Sequence, residues 1–488
     1  MIRNGFVGLL LFAACTPIDD KDNSPPDAPP DNEAPRVVMS IPADAATQVS
    51  PLTKITLFFD GPLDEASVTN MTFVVRAGFL SGGSGWRRIY GSVAYDNAGY
   101  KVTFAPALPL TSSSEFAVLV DGIKDLSGNT LSGAGIKFRT IFNAISRRIQ
   151  YSTNGPNYWY DATFDADGHP IKGIPHSAAG PDNLWLTSDD PVACCIDTSS
   201  YTTDGRLKDR RFYDQGLDGI AGNADDRVTS RYEFTYDAMG LTTATTNYSG
   251  PGPDAQWGTS DDLISTWQKY LYDASNQNIG YQYFDNAGAD GMWKTADDRC
   301  NSCTWSESTL DAFGNVTRYV DRSTGTDQIP GNADDLIQDW TELTIDPTTG
   351  AVTRYVFRSA IGPDTTWFTS DDVISNWTRY NYTAQGTDYC QYSGPGVDGT
   401  WLNSDDVGSY HFSTTFDANK QQVGQTYYDA GPDGKYCTAD DVVAGRSNYT
   451  YDTYGRRIDL KGFSAGPDKV FNTTDDRVSY DYDFDLAH

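Results

Sequence analysis

At 488 residues the chain exceeds what one ordinary core fills, so two or more domains or a repeat array are expected. Its 36 Lys and Arg stand against 66 Asp and Glu, and the resulting formal charge of −30 repels nucleic-acid phosphates and anionic lipid headgroups, which argues against DNA and RNA as partners. Thirty Tyr, 22 Phe and 11 Trp beside 45 Gly favour a turn-rich all-β protein, while His169, His176, His411 and His488 share no spacing that suggests a metal site or general base.

The chain opens MIRNGFVGLLLFAAC, with Arg3, an apolar stretch from Gly5 to Ala14, and Cys15. That stretch is too short to cross a bilayer as a mature helix and suits the apolar region of a secretory signal. Phe12-Ala13-Ala14-Cys15 resembles the lipobox of bacterial lipoproteins, with Phe12 where Leu is usual. The resemblance implies that residues 1–15 are a signal peptide ending at a lipidated Cys15, and that Thr16, in place of Asp, directs the protein to the outer membrane. The other reading is an ordinary signal peptide with an incidental cysteine. Residues 16–34, TPIDDKDNSPPDAPPDNEA, bury too little to fold and are expected to form a disordered tether. The remaining six cysteines, Cys194, Cys195, Cys300, Cys303, Cys390 and Cys437, sit in an exported chain where disulfides are permitted, with no connectivity legible. CNSC at 300–303 has the look of a redox or zinc half-site but lacks a second such pair, so a structural cystine or free thiols are the simpler reading.

Residues 35–142 alternate in seven short strand-like runs, among them KITLFF, TFVVRA, YKVTFAP and EFAVLV, divided by Gly, Pro, Asn and Asp turns; this predicts a β-sandwich. SIPADAATQVSP, FDGPLDEASV and IKDLSGNTL resemble the bacterial immunoglobulin-like domain of S-layer and surface proteins, which implies a spacer or presentation module.

From residue 150 to 488 the chain reads as one array. RYEFTY at 231 sets Tyr232, Phe234 and Tyr236 on one strand face. TFDADG at 163, TYDAMG at 235, TLDAFG at 309 and TYDTYGRR at 450 follow such strands, and they resemble the YD repeats of Rhs and teneurin-like proteins; YTTDGR at 201 and NYTAQG at 380 depart from the pattern. The resemblance implies hairpins winding into a β-spiral or solenoid, each unit burying its apolar face against its neighbours.

Between hairpins an acidic loop recurs nine times, as in GPDAQWGTSDD at 252–262. Its first Asp is Asp182, Asp218, Asp254, Asp290, Asp327, Asp364, Asp398, Asp433 or Asp468, a spacing of 34 to 37 residues. The closing pairs are Asp189 and Asp190, Asp225 and Asp226, Asp261 and Asp262, Asp297 and Asp298, Asp334 and Asp335, Asp371 and Asp372, Asp405 and Asp406, Asp440 and Asp441, and Asp475 and Asp476. Two residues before each pair stands Thr187, Asn223, Thr259, Thr295, Asn332, Thr369, Asn403, Thr438 or Thr473. Pro precedes the first Asp in only five copies and Gly follows it in only four, so the oxygens persist where the turn formers drift. Three carboxylates so close repel unless compensated, and a calcium ion, which takes six to eight oxygens, would do so; the spacing is not that of an EF-hand, and magnesium sheds water too reluctantly. These 27 aspartates are therefore the candidate metal ligands, one calcium per loop, with nine ions bringing the charge from −30 to −12. The alternative is that they only form Asx-turns and keep an edge soluble. An aromatic three residues after the first Asp (Trp185, Trp257, Trp293, Trp367, Trp401, Tyr436 or Phe471) would pack the loop onto the stack or, if exposed, form a ladder for stacking sugars.

The leading function is thus a lipid-anchored, calcium-stabilised surface protein for adhesion or envelope interaction, with a glycan or another surface protein as partner. A carbohydrate-binding array is the alternative, and an Rhs-type shell a third, although no toxin segment is visible after SYDYDFDLAH. An enzyme is not expected: glycoside-cleaving carboxyls act as one unlike pair in one cleft, whereas here nine near-identical pairs recur.

Overall fold

The computed structural model describes residues 32–486 except 80–86, 142–144, 153–154, 194, 275, 302–303, 312–313, 348, 384, 466–470 and 472–476. The signal peptide with Cys15, the tether up to residue 31, and Asp468, Asp475 and Asp476 lie outside the described residues.

Nine strands build the first part: β1 (Val37–Ile41), β2 (Ala46–Val49), β3 (Ile55–Phe59), β4 (Phe73–Phe79), β5 (Arg87–Ile89), β6 (Gly91–Asp96), β7 (Lys101–Pro106), β8 (Ser114–Val120) and β9 (Ala134–Thr140). They form a four-stranded sheet, β1-β3-β7-β6, over a five-stranded one, β2-β9-β8-β4-β5. Strict alternation in β3 turns Ile55, Leu57 and Phe59 inward to meet Phe73, Val75, Val102, Phe104, Phe116, Val118 and Phe138.

The rest is one antiparallel wall: β10 (Ile145–Ser152), β11 (Gly155–Phe164), β12 (Pro170–His176), β13 (Asp197–Tyr201), β14 (Leu207–Tyr213), β15 (Val228–Tyr236), β16 (Thr242–Gly250), β17 (Leu263–Tyr272), β18 (Asn278–Phe284) and β19 (Thr304–Leu310), then β20 (Val316–Ser323), β21 (Leu336–Ile345), β22 (Val352–Ala360), β23 (Val373–Tyr382), β24 (Gly386–Gly394), β25 (Val407–Phe416), β26 (Gln422–Asp429), β27 (Val442–Tyr451), β28 (Arg457–Ser464) and β29 (Arg477–Leu486). The expected spiral or solenoid is corrected here. The wall closes into a barrel, because β10 pairs with β29 from Ile145↔Leu486 to Tyr151↔Asp481. Sequence periodicity specifies the hairpin but not the accumulated twist of the stack. That twist is set by register shifts, which recur near hairpin ends, as between Thr235 and Tyr236, Leu271 and Tyr272, and Thr450 and Tyr451. Closure also removes the two unpaired edges an open array would carry.

Twenty strands about 4.8 Å apart make a ring roughly 30 Å across if round, too wide for side chains to fill. Burial agrees: among the described residues, only Val356 of the largest fully buried side chains belongs to the wall. Local lacing holds it instead. In the YD turns Asp237 Oδ1 accepts the N–H groups of Met239 and Leu241 at 2.9 and 2.8 Å, and Gly240 supplies the left-handed backbone (φ 80°) the turn requires. The preceding tyrosine reaches the neighbouring hairpin: the hydroxyls of Tyr201, Tyr236, Tyr272, Tyr382 and Tyr451 donate to the carbonyls of Pro170, Leu207, Thr242, Val352 and Gln422 at 2.7–3.0 Å.

All the YD turns fall on one rim and the acidic loops on the other. The sandwich meets the YD rim, where Ser50 Oγ donates to Tyr454 O at 3.3 Å, the Arg206 guanidinium pairs with Glu115 at 3.5 Å, and Arg139 bonds Asp204 O.

Candidate functional site on the acidic rim

Each acidic loop is closed by its own aspartates. The first Asp accepts, through Oδ1, the N–H two residues on, as Leu184 to Asp182 at 2.8 Å, Gln256 to Asp254 at 2.7 Å and Thr400 to Asp398 at 2.6 Å. Its own N–H donates to the first member of the closing pair, Asp254 to Asp261 at 2.9 Å and Asp364 to Asp371 at 3.0 Å. The last Asp accepts the N–H four residues back, as Leu186 to Asp190, Gly258 to Asp262 and Phe368 to Asp372, each at 2.8 Å.

The last Asp is also held from the preceding hairpin. Trp159, Trp267, Trp305, Trp340 and Trp377 donate Nε1–H to Asp190, Asp298, Asp335, Asp372 and Asp406 at 2.7, 2.7, 2.8, 2.8 and 2.5 Å. Arg231 takes the same place toward Asp262 at 3.1 Å, and His411 Nδ1 toward Asp441 at 2.6 Å. Each of these side chains stacks on its cross-strand partner, Trp267 on Phe284 at 4.5 Å and Trp340 under the Arg358 guanidinium at 4.4 Å. These strand residues are what the loop-by-loop reading misses. Their signal is in the sequence, since DDLISTW, DDLIQDW and DDVISNW place Trp five residues after the pair.

Thr and Asn, equivalent as oxygen donors in the sequence, behave differently. Thr187, Thr259, Thr295 and Thr438 use Oγ1 to bridge both members of the pair, at 2.6 and 3.1 Å in the first case. A threonine hydroxyl, from Thr369 in the case of Asp371 at 2.6 Å, together with the N–H of the first Asp holds Asp189, Asp261, Asp297, Asp371 and Asp440 below the usual carboxylate range. The amides of Asn223, Asn332 and Asn403 instead donate to the first Asp, at 2.9, 2.8 and 3.0 Å. In those three loops Oδ1 of Asp226, Asp334, Asp335 and Asp406 is buried with no hydrogen-bond partner. Among the described residues, only Asp182, Asp189 and Asp190 bring one oxygen from each of a loop's three aspartates within 4.8 Å. The first aspartates Asp182, Asp218, Asp254, Asp290, Asp327, Asp364, Asp398 and Asp433 are all exposed, and so is the first Asp of the pair in several loops. The loop aromatics Trp185, Trp257, Trp293, Trp367, Trp401, Tyr436 and Phe471 are half-buried, so they do not form a free ladder.

Cys390 and Cys437 form a disulfide, Cα to Cα 5.8 Å, tying β24 to the acidic loop between β26 and β27.

The geometry defines an all-β architecture: an immunoglobulin-like sandwich seated on one rim of a closed hairpin wall whose other rim is acidic. Residues 31–140 match the family of bacterial Ig-like domains, which accounts for the sandwich. No curated protein matches the chain. Among solved structures, the methionine-rich copper resistance protein PcoC from Escherichia coli is 15% identical over 22% of this chain and 99% of its own, with a TM-score of 0.18. The N-terminal part of the bacterial S-layer protein SbsC is 15% identical over 44% of this chain and 43% of its own, at 0.18. A porin-like protein from Bacteroides uniformis is 11% identical over 55% and 94%, at 0.24. Likenesses this slight carry no weight for the role of this chain.

Proposed function

We propose that the chain is a non-catalytic protein of the bacterial cell envelope, anchored to the outer membrane through a lipid on Cys15, whose closed barrel presents its acidic rim as a calcium-stabilised surface for adhesion or envelope interaction. The observation that carries this reading is the polarity of the barrel. The sandwich, which follows the tether, meets the YD rim, so the acidic loops lie at the end away from the anchor. The Ig-like match supports a presentation module. Anchoring fits the wall better than spanning: Arg318 and Asp321 fall on opposite faces of β20, and Asp339 and Glu342 on opposite faces of β21, so neither face suits hydrocarbon. The hairpins are read as YD-type units by their Tyr-Asp turns, without the spiral.

Calcium is assigned first to the loops of Asn223, Asn332 and Asn403, because a buried carboxylate oxygen without a donor is costly and a hard cation compensates it. A glycan partner is the second reading; its support is a partly exposed tyrosine cluster on β23 to β26, with Tyr389 at 5.2 Å from Tyr380, 6.0 Å from Tyr410 and 4.3 Å from Phe412. The test is calorimetric titration of the chelator-treated chain with calcium, beside melting curves. About three tight ions, a rising melting temperature and a weak magnesium response are expected, with one tight ion lost in Asn403→Thr, where a hydroxyl replaces the amide. Absence of binding heat, with identical melting in chelator and in millimolar calcium, would overturn the calcium assignment.

A further inference from the structure

At the strand position that Trp fills in five hairpins, β25 carries His411. The substitution keeps the contact to the loop, Nδ1 to Asp441 Oδ2 at 2.6 Å, but adds a second ring nitrogen. Nε2 lies 2.8 Å from Asp388 Oδ1 on β24, and directly across the strand pair stands Cys390. One ligand atom each from Asp388, Cys390 and His411 falls within 4.8 Å of the others. The disulfide partner Cys437 brings a second sulfur to the same point, and its N–H donates to Asp441 Oδ2 at 2.7 Å. The His411 ring is stacked on Tyr428 at 4.2 Å, and its side chain is 12% exposed.

We propose that reduction of the Cys390–Cys437 disulfide by a dithiol uncovers a zinc site formed by Cys390 Sγ, Cys437 Sγ, His411 Nε2 and the Asp388 carboxylate. Two sulfurs, one imidazole and one carboxylate make a four-ligand set that suits zinc and is too soft for calcium, so this site is chemically separate from the rim. Asp441 supplies the supporting part: a metal-bound histidine ordinarily donates its other N–H to a carboxylate, which fixes the tautomer and ring orientation. The charge also balances. Two thiolates and a carboxylate leave a zinc complex one unit negative before the outer partners are counted, and the Arg379 guanidinium lies 3.7 Å from Cys390 Sγ. In the reductive step the dithiol passes two electrons and two protons to the disulfide and becomes a cyclic disulfide. As zinc binds, the two thiols formed release two protons and His411 releases the Nε2 proton that it shares with Asp388 in the oxidised protein, three in all.

The test is cobalt(II) titration of the full chain, followed by absorption spectroscopy, after reduction with a phosphine, which becomes the phosphine oxide. Reduced protein is expected to take up one zinc-displaceable cobalt with sulfur-to-metal charge-transfer and tetrahedral visible bands, and oxidised protein none. His411→Trp restores the residue that five other hairpins carry, so it preserves the fold while removing Nε2, and it should abolish this signal, as should the double substitution Cys390→Ser and Cys437→Ser. Asp441→Asn should weaken cobalt binding by about 10- to 100-fold. Absence of cobalt bands in the reduced protein, or bands undiminished in His411→Trp and therefore arising at other cysteines, would overturn the proposal.

Discussion

The rim's rigidity should depend on single indole N–H groups, and Trp340→Phe isolates one of them. Trp340 is 5% exposed and Asp372 3%, so the 2.8 Å bond between them is shielded from water. A hydrogen bond to a charged group contributes about 1.5–3 kcal/mol. The low end applies, because Asp372 keeps the N–H groups of Phe368 at 2.8 Å and Gly362 at 3.0 Å, and Phe preserves most of the stacking under Arg358. The expected loss is about 2 kcal/mol, which in a cooperative unit of this size lowers the melting temperature by only about 2 °C. Guanidinium denaturation, read as a double-mutant cycle with Asp372→Asn, measures the pair directly. A coupling of about 1.5 kcal/mol is expected. A W340F protein within about 0.5 kcal/mol of the parent, or equal W340F effects in both backgrounds, would refute the indole as the holder of the loop.

Acid should unfasten the same rim. The carboxyls of Asp189, Asp261, Asp297, Asp371 and Asp440 are lowered from 3.8 in the folded state, so their contribution is fully present above that value and is lost as pH falls below it; melting curves from pH 7 to 3 should stay level to about pH 4 and then drop. Closure predicts a hydrogen-exchange pattern: the backbone amides of Ile145–Ser152 and Arg477–Leu486 should be protected like those of mid-wall strands, whereas fast exchange confined to these two would indicate an open array with fraying ends.

Much of this architecture is legible in the residues. RYEFTY alternates, and Tyr232, Phe234 and Tyr236 do share one side of β15; the acidic loops and YD turns fall between strands as their Gly, Asn and Asp content predicts. Closure is not legible, because no residue encodes it: it follows from small bulges summed over twenty strands, and only their total brings Ile145 beside Leu486. The loops are legible as acidic and opaque as chemistry. An aspartate in the sequence carries no sign of whether an N–H, an indole or a cation will meet it, and Thr and Asn look alike until their hydrogen-bond directions are known. Thr259 Oγ1 donates into the pair, whereas Asn332 Nδ2 turns back to Asp327.

The two ladders make the closed wall more than a row of hairpins. On the YD rim the hydroxyls of Tyr201, Tyr236, Tyr272, Tyr382 and Tyr451 tie their hairpins backward to a carbonyl of the predecessor; on the acidic rim a Trp, Arg or His ties seven hairpins forward to the loop that follows. A hairpin that carries both ties is held by both neighbours, and nearest-neighbour terms of this kind set the stability of repeat proteins. In an open stack the terminal units would lack half of these ties. In a ring the deficit moves to the seam, where β10 and β29 pair through the backbone ladder with no YD turn between them. Lys461 is placed near it, between Asp459 at 3.3 Å and Asp481 at 3.5 Å on β28 and β29. Opposite charges on neighbouring strands favour one register over a slipped one, and a strand that slips by one residue turns its whole side-chain set to the wrong face. Apart from small buried clusters such as Val356, Trp377 and Tyr392, the described wall thus obtains its definition from pairwise polar contacts repeated around its circumference, which holds the acidic loops in place while their first aspartates remain exposed to solvent and to whatever binds there.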